Sequence, residues 1–272
     1  MAEVHGAASR GPRRSTRTGA RIFAAEVRAV RDLTPRMRRI TVAAPELADY
    51  RPVGPDEYLG LLLPAGDDAP LVLPDPTAGP NIRAAVAEIP EELRPELRWY
   101  TLRAHRPERA EIDIDCIVHG DEGPGTRFAR RARPGTRLGI RECTALYVPA
   151  AAAGARLLIG DESAIPAIAA ILETTRHAGP TRVFIEIPER SERQRFDAPT
   201  RVDWVDRGGL RPGIALERAV RDAALPPDIA SAWVCGERDG VQRIRRHLVD
   251  DRGIGKQHIV FSGYWRLGHA RG

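Results

Sequence analysis

The hydrophobic period of this 272-residue chain changes once, at the alanine-rich segment PAAAAGA from Pro149 to Ala155. Ahead of it, from about Arg21 to Pro149, short strand-like stretches are separated by proline and glycine: IFAAEVRAV, MRRITVAA, YLGLLLP, LRWYTLRA, EIDIDCIVHG and TRLGIR. In EIDIDCIV the alternation is clean, with Ile112, Ile114, Cys116 and Val118 on a core face and Glu111, Asp113 and Asp115 on a wet one. Six strands with turn signals between them predict an antiparallel barrel, because closure removes the edges that an open sheet has to protect. One helix interrupts them, after Gly123. Behind the boundary, continuous apolar strands alternate with amphipathic helices: RLLIG into SAIPAIAAILETTRHAG, RVFIEI, ALERAVRDA, AWVCG into DGVQRIRRHLVDDRG, and HIVFSGYW. That βαβα order predicts a Rossmann-like parallel sheet covered on both faces. The expected class is β + α/β: a disordered basic tail at 1–20, a six-stranded antiparallel barrel at 21–149 and a parallel-sheet domain at 150–272.

Composition narrows the function classes. The apolar runs are too short to span a bilayer, so no membrane span is expected. Cys116, Cys143 and Cys235 are odd in number and lack a CxxC, which suggests neither a disulfide framework nor a zinc site and fits a reducing cytoplasm. A monomer is the separate expectation. The net charge of +5 is carried almost wholly by arginine, with Lys256 the one lysine. Arg10, Arg13, Arg14 and Arg17 in the basic tail read either as a nucleic-acid arm or as a solvated tail. No aromatic stacking platform accompanies them, so no nucleic-acid partner is expected.

Ligands of parallel sheets bind beyond the carboxyl ends of the strands, where loops meet helix N-termini. IGDESA, with Gly160, Asp161, Glu162, Ser163 and Ala164, and CGERDG, with Gly236 and Glu237, stand there, although neither is a GxGxxG fingerprint. Asp161 and Ser163 also read as ordinary N-caps. In the barrel half, Gly123, Pro124, Gly125 and Thr126 start a helix whose amides suit a phosphate, and His119 either caps the preceding strand or orients a ligand. Within RWYTLR, Arg98 and Tyr100 project to one side and Trp99 and Thr101 to the other. A guanidinium beside a phenol suits a pyrophosphate joined to a planar ring, whereas a plain strand is the alternative. Trp99 and Arg103 read as packing and a solvated charge.

Taken in order, RWYTLR, IDIDCIVHGDEGPGTRFARRARPGTRLGI, LLIGDESAIPAIAAILE, WVCGERDGVQRIRRHLVDDRGI and FSGYWRLG resemble the siderophore-interacting proteins, flavin-dependent ferric-siderophore reductases of the ferredoxin reductase superfamily. The resemblance, from about Arg21 to Gly268, implies an FAD-binding barrel followed by an NAD(P)H-binding domain. It implies that Arg98 holds the FAD pyrophosphate, Tyr100 stacks on the isoalloxazine, Thr101 bonds near N5, Val118 and His119 line the flavin, and Gly123 to Thr126 cradle its phosphates. It likewise implies that Gly160 to Ala164, Gly236 and Glu237 border the nicotinamide nucleotide and that the chain closes with Tyr264 and Trp265 near the flavin. Electrons would pass from NADPH or NADH through FAD to a ferric-siderophore or other small-molecule acceptor, with no catalytic side chain required. Arg190 and Arg193, in EIPERSERQR, would favour NADPH if they meet a 2′-phosphate; a solvated loop is the other reading.

Two stretches depart from the family pattern. A lysine usual before the LLFP-like strand is Gly60 here, and the glycine-rich turn after RLGI is replaced by RECTAL, Arg141 to Leu146. Arg141, Lys256, His258 and Arg266 are the cations that could restore charge to a chelate pocket. Three functions follow: a ferric-siderophore reductase, a flavin-dependent NAD(P)H oxidoreductase serving another acceptor (a biosynthetic intermediate, free flavin or a protein partner), and a module that binds flavin or chelate without turnover.

Overall fold

The computed structural model describes residues 17, 19–66, 69–75, 81–118, 123–150, 153–198 and 200–269. His119 and most of the basic tail lie outside them. Arg17 does not: its guanidinium lies 4.7 Å from the Tyr50 ring centroid and pairs with the buried Glu57 at 2.9 Å, so it is not a solvated tail charge.

The first sheet has seven antiparallel strands, in the order β4-β3-β7-β1-β2-β6-β5. These are β1 (Ile22–Thr34), β2 (Met37–Ala43), β3 (Tyr58–Leu63), β4 (Glu96–Thr101), β5 (Ala104–Arg106), β6 (Glu111–Ile117) and β7 (Arg137–Arg141). Six were expected, and the seventh arises inside RWYTLRA. The chain bends at Leu102 and Arg103, so its first half pairs with β3 and its second half with β6. Leu102 N–H donates to Glu57 at 2.8 Å and Arg103 N–H to Asp113 at 2.9 Å, which keeps the backbone bonded through the bend. One bent segment thus joins both ends of the sheet, which is how the barrel curls closed.

Leu59, Leu61, Ile112, Ile114, Cys116 and Phe128 fill the barrel. Asp113 and Asp115 occupy the other face of β6, but that face is not wet, since each is only 5% exposed. Arg39 grips Asp115 with two bonds of 2.7 and 2.8 Å; Arg106 grips Asp113 at 2.8 and 2.7 Å, with the Thr41 hydroxyl at 2.7 Å. Arginine stems from β2 and β5 cover the carboxylates they neutralise, a cross-strand pattern that β6 read alone does not contain. A second helix in this half, α1 (Ile82–Ala87), is too short to declare itself by period. Asn81 caps it, and Ile82 and Val86 pack on Leu62 outside the barrel. The expected helix after Gly123 is α2 (Pro124–Arg131).

The second sheet is wholly parallel, ordered β10-β9-β8-β11-β12 from β8 (Ala155–Asp161), β9 (Thr181–Ile187), β10 (Val202–Asp206), β11 (Ile229–Glu237) and β12 (Ile259–Trp265). Its helices are α3 (Ile165–Thr174), α4 (Ile214–Asp222) and α5 (Arg238–Arg246). β10 was not anticipated, because RVDWVD is half polar and sits at the sheet edge. Among the described residues no helix is long and apolar enough to cross a membrane. The three cysteines are buried and free.

The two sheets share a seam. Met37 and Ile117 of the barrel pack in one apolar cluster with Tyr147, Ile165 and Trp233 of the other half. Arg103, expected to be solvated, crosses it to pair with Glu173 at 2.7 Å. Burying these groups fixes the relative position of the sheets, and with it the geometry of the space between them.

Candidate functional site

That space is a cleft of about 580 Å³. On the barrel side, β4 places Tyr100 opposite Leu59 and Trp99 opposite Gly60. Tyr100 lies against the barrel core with its hydroxyl bonded to Cys116, and burial keeps the phenol protonated far above its ordinary range. Gly125 makes room for it: a β-carbon there would stand 2.3 Å from the Tyr100 oxygen. Arg98 donates to Leu97 O at 2.7 Å and pairs with Glu96 at 3.1 Å. α2 begins at Gly123, whose φ of +94° favours glycine, and no side chain caps it. An arginine, a phenol and a threonine facing an uncapped helix start are a donor set for a pyrophosphate joined to a flat ring.

The opposite wall is the carboxyl end of the parallel sheet. Asp161 accepts from Ser163 N and Oγ at 2.9 and 2.5 Å, Glu237 N at 2.6 Å and Trp265 Nε1 at 2.9 Å. It ties β8, β11 and β12 together while being 1% exposed, with burial pushing its carboxyl upward in pKa. Glu237 caps α5 through Gly240 N at 2.8 Å, and β-carbons at Gly160 and Gly236 would strike Ala164 at 2.4 Å and Asp161 at 2.7 Å. On this wall, Glu162 is the acid that faces the cleft. Burial first, then the neighbouring Asp161, raise its pKa to about 7 against the pull of Arg207, which donates to it at 2.5 Å.

The cleft therefore gathers Arg98, Tyr100, Thr101, Gly123, Gly125 and Thr126 on one side with Glu162, Ser163 and Arg266 on the other. Gly160, Asp161, Ala164, Gly236 and Glu237 lie beneath it as packing and caps. Val118 packs on the barrel core, and its amide donates to Arg36 O at 2.8 Å. Arg190 is turned away, 82% exposed and paired with Asp206 at 2.9 Å. Arg141 donates to Glu142 O at 3.2 Å and Cys143 Sγ at 3.3 Å and does not line the cleft. Lys256 and His258 sit in the turn before β12, at the opposite end of a strand about 20 Å long from the cleft-lining Trp265. Neither is brought to the cleft. Sequence reasoning missed Tyr58, Asp115 and Ser262, which line it, and set Trp99 aside as packing. Trp99 covers Gly60, whose β-carbon would approach its ring at 3.0 Å, and meets Tyr58 edge-on at 5.7 Å. The signal available was the density of aromatics: Tyr58, Trp99, Tyr100, Tyr264 and Trp265 surround one cleft in a chain that is 5% aromatic.

An antiparallel barrel joined to a parallel five-stranded sheet, with the cleft between them, defines the ferredoxin reductase-like class. The chain matches the siderophore-interacting FAD-binding domain over residues 26–145 and the siderophore-interacting protein model over 153–268. A siderophore utilization protein from T. fusca superposes with a TM-score of 0.81 at 30% identity, covering 95% of this chain and 98% of that one. An uncharacterized protein of Mycobacterium tuberculosis is 31% identical over 92% of each chain. Ferric vibriobactin reductase ViuB of Vibrio cholerae is 29% identical over 70% of this chain and 74% of that protein. The chain belongs to the siderophore-interacting protein family.

Proposed function

We propose that the protein is an FAD-dependent oxidoreductase that passes electrons from a reduced nicotinamide dinucleotide to a ferric-siderophore chelate. The observation that carries this reading is the convergence of Arg98, Tyr100 and Thr101 with the uncapped start of α2, across a cleft from the carboxyl ends of β8 and β12. Those residues fit FAD. Arg98 and the first free amides of α2 would hold its phosphates, Tyr100 would support the ring, and the Thr101 hydroxyl would serve a ring nitrogen. When bound, FAD supplies the conversion of a two-electron donor into one-electron steps toward iron. The chain's part is to orient and to exclude water: Trp265, fixed by Asp161, and Tyr264 wall the cleft, while Arg266 brings a cation to its rim. The chelated iron is substrate. Reduction weakens its hold on the chelate.

Anaerobic mixing of the FAD-loaded protein with NADH or NADPH, followed by ferric chelates, tests this. Bleached flavin that a chelate reoxidises supports it, and flavin that no chelate reoxidises overturns it. One observation favours a second reading, a flavin-dependent oxidoreductase serving another acceptor. Trp99 over Gly60 presents an aromatic wall rather than a basic one. Reoxidation by free flavin or by a protein partner, but by no ferric chelate, is the result that reading requires.

A further inference from the structure

A second cavity, of about 220 Å³, opens at the carboxyl ends of β8, β9 and β10, where the β1–β2 hairpin leans on the parallel sheet. It adjoins the cleft, sharing Ile117, Glu162 and Trp265 with it. Its charged lining is Arg36 from the hairpin and Glu162, Glu192 and Arg207 from the second domain. Arg36 is paired with Glu189 at 3.3 Å, and Arg207 is held between Glu162 at 2.5 Å and the fully buried Glu186 at 2.8 Å. Glu186 also receives the amides of Gly213 and Leu216, so its charge is well met.

Glu192 differs from these. It is 3% exposed, one oxygen accepts from the Thr34 hydroxyl at 2.5 Å, and the other is buried with no donor among the described residues. Buried carboxylate oxygens are nearly always satisfied, so this one marks a place where a donor belongs. Its position says which donor. Glu192 follows β9, the second strand of the parallel sheet. In dinucleotide-binding sheets an acid after the second strand takes a ribose hydroxyl, whereas an arginine there takes a 2′-phosphate. Arg190 and Arg193 flank Glu192, but both turn to Asp206, at 2.9 and 3.4 Å, and neither lines the cavity.

We propose that Glu192 accepts a hydrogen bond from a ribose hydroxyl of the nicotinamide dinucleotide and thereby selects NADH over NADPH. A hydroxyl brings the donor the carboxylate lacks. The two arginines of the lining are already paired, Arg36 with Glu189 and Arg207 with Glu162 and Glu186, so a 2′-phosphate would meet Glu192 without a free cation beside it among the described lining residues, and it has little proton to give at neutral pH. This rests on the reading that a nicotinamide dinucleotide is the electron donor.

Isothermal titration of the FAD-loaded protein with NAD⁺ and NADP⁺ tests the assignment without turnover, and anaerobic flavin reduction by NADH and NADPH tests it in action. The wild-type protein is expected to bind NAD⁺ at least about tenfold more tightly than NADP⁺, and Glu192→Gln to lose about tenfold in NAD⁺ affinity while NADP⁺ affinity holds or rises. Equal or tighter NADP⁺ binding by the wild type overturns the proposal whether or not the variant folds. Unchanged discrimination in a folded Glu192→Gln protein overturns it too. NAD⁺ bound selectively with no flavin reduction by NADH defeats the proposed function and leaves Glu192 assigned, whereas binding of neither dinucleotide defeats both.

Discussion

Asp56 of the barrel half accepts a 2.8 Å hydrogen bond from the indole of Trp233, which lies 177 residues further along the chain in β11. The same carboxylate receives the amides of Leu146 and Tyr147 at 2.9 to 3.0 Å. It is fully buried, and desolvation raises its pKa despite those four bonds. Trp233→Phe removes one charge-assisted bond and is expected to destabilise the protein by about 1 to 3 kcal/mol. Asp56→Ala strands every donor and is expected to cost more. Urea unfolding of both variants measures this; equal stability of wild type and Trp233→Phe would remove the tie from the interface.

Arg98→Ala is expected to weaken FAD binding by about 1.5 to 3 kcal/mol, roughly ten- to a hundredfold, the value of hydrogen bonds to a charged group. Flavin fluorescence titration reads it. Unchanged affinity would mean that the guanidinium, already held by Leu97 O and Glu96, does not turn to the phosphates.

Gly125 and Tyr100 are expected to act as a pair. Gly125→Val places a branched side chain where the phenol oxygen stands, so it should lower FAD affinity and shift the visible flavin spectrum. Adding Tyr100→Phe removes that oxygen and should restore part of the loss. Additive losses in the double variant would show that the two sites are independent.

Glu162 gives the cleft a pH dependence. Its carboxyl, raised to about 7, is neutral below that pH; above it, the charge, though Arg207 already lies beside it, repels an anionic dinucleotide. Affinity for NAD⁺ is therefore expected to fall several-fold between about pH 6 and 8. Because the folded-state value lies above the ordinary 4.5, the associated stability is complete below about 4.5 and is lost as pH rises through about 7. Glu162→Gln should flatten both profiles in calorimetric titrations and thermal melts across that range.

The period change at Pro149–Ala155 was enough to separate a barrel from a parallel sheet, since alternation and continuous apolar runs report directly on which faces are buried. RWYTLR was legible as a strand, but its bend was not. Neither was the fate of Arg103, because a partner 70 residues away in α3 leaves no mark on local pattern. Asp113 and Asp115 looked solvated because alternation records polarity and not the arginines that cover it. Glu192 and Arg207 were invisible for a related reason. A lone acid in the arginine-rich SERQR and an arginine after a half-polar edge strand read as surface, and only the packing of the hairpin against the sheet encloses them.

Gly60 under Trp99 has a consequence for how this protein can change. Adding a long cationic side chain at position 60 while the indole remains would force it against the Trp99 ring and Leu97, at 3.0 and 3.1 Å from its β-carbon. Shrinking Trp99 alone would open a void beside Leu97 and Tyr58. Positions 60 and 99 therefore share one space, and the effect of changing either residue depends on what stands at the other.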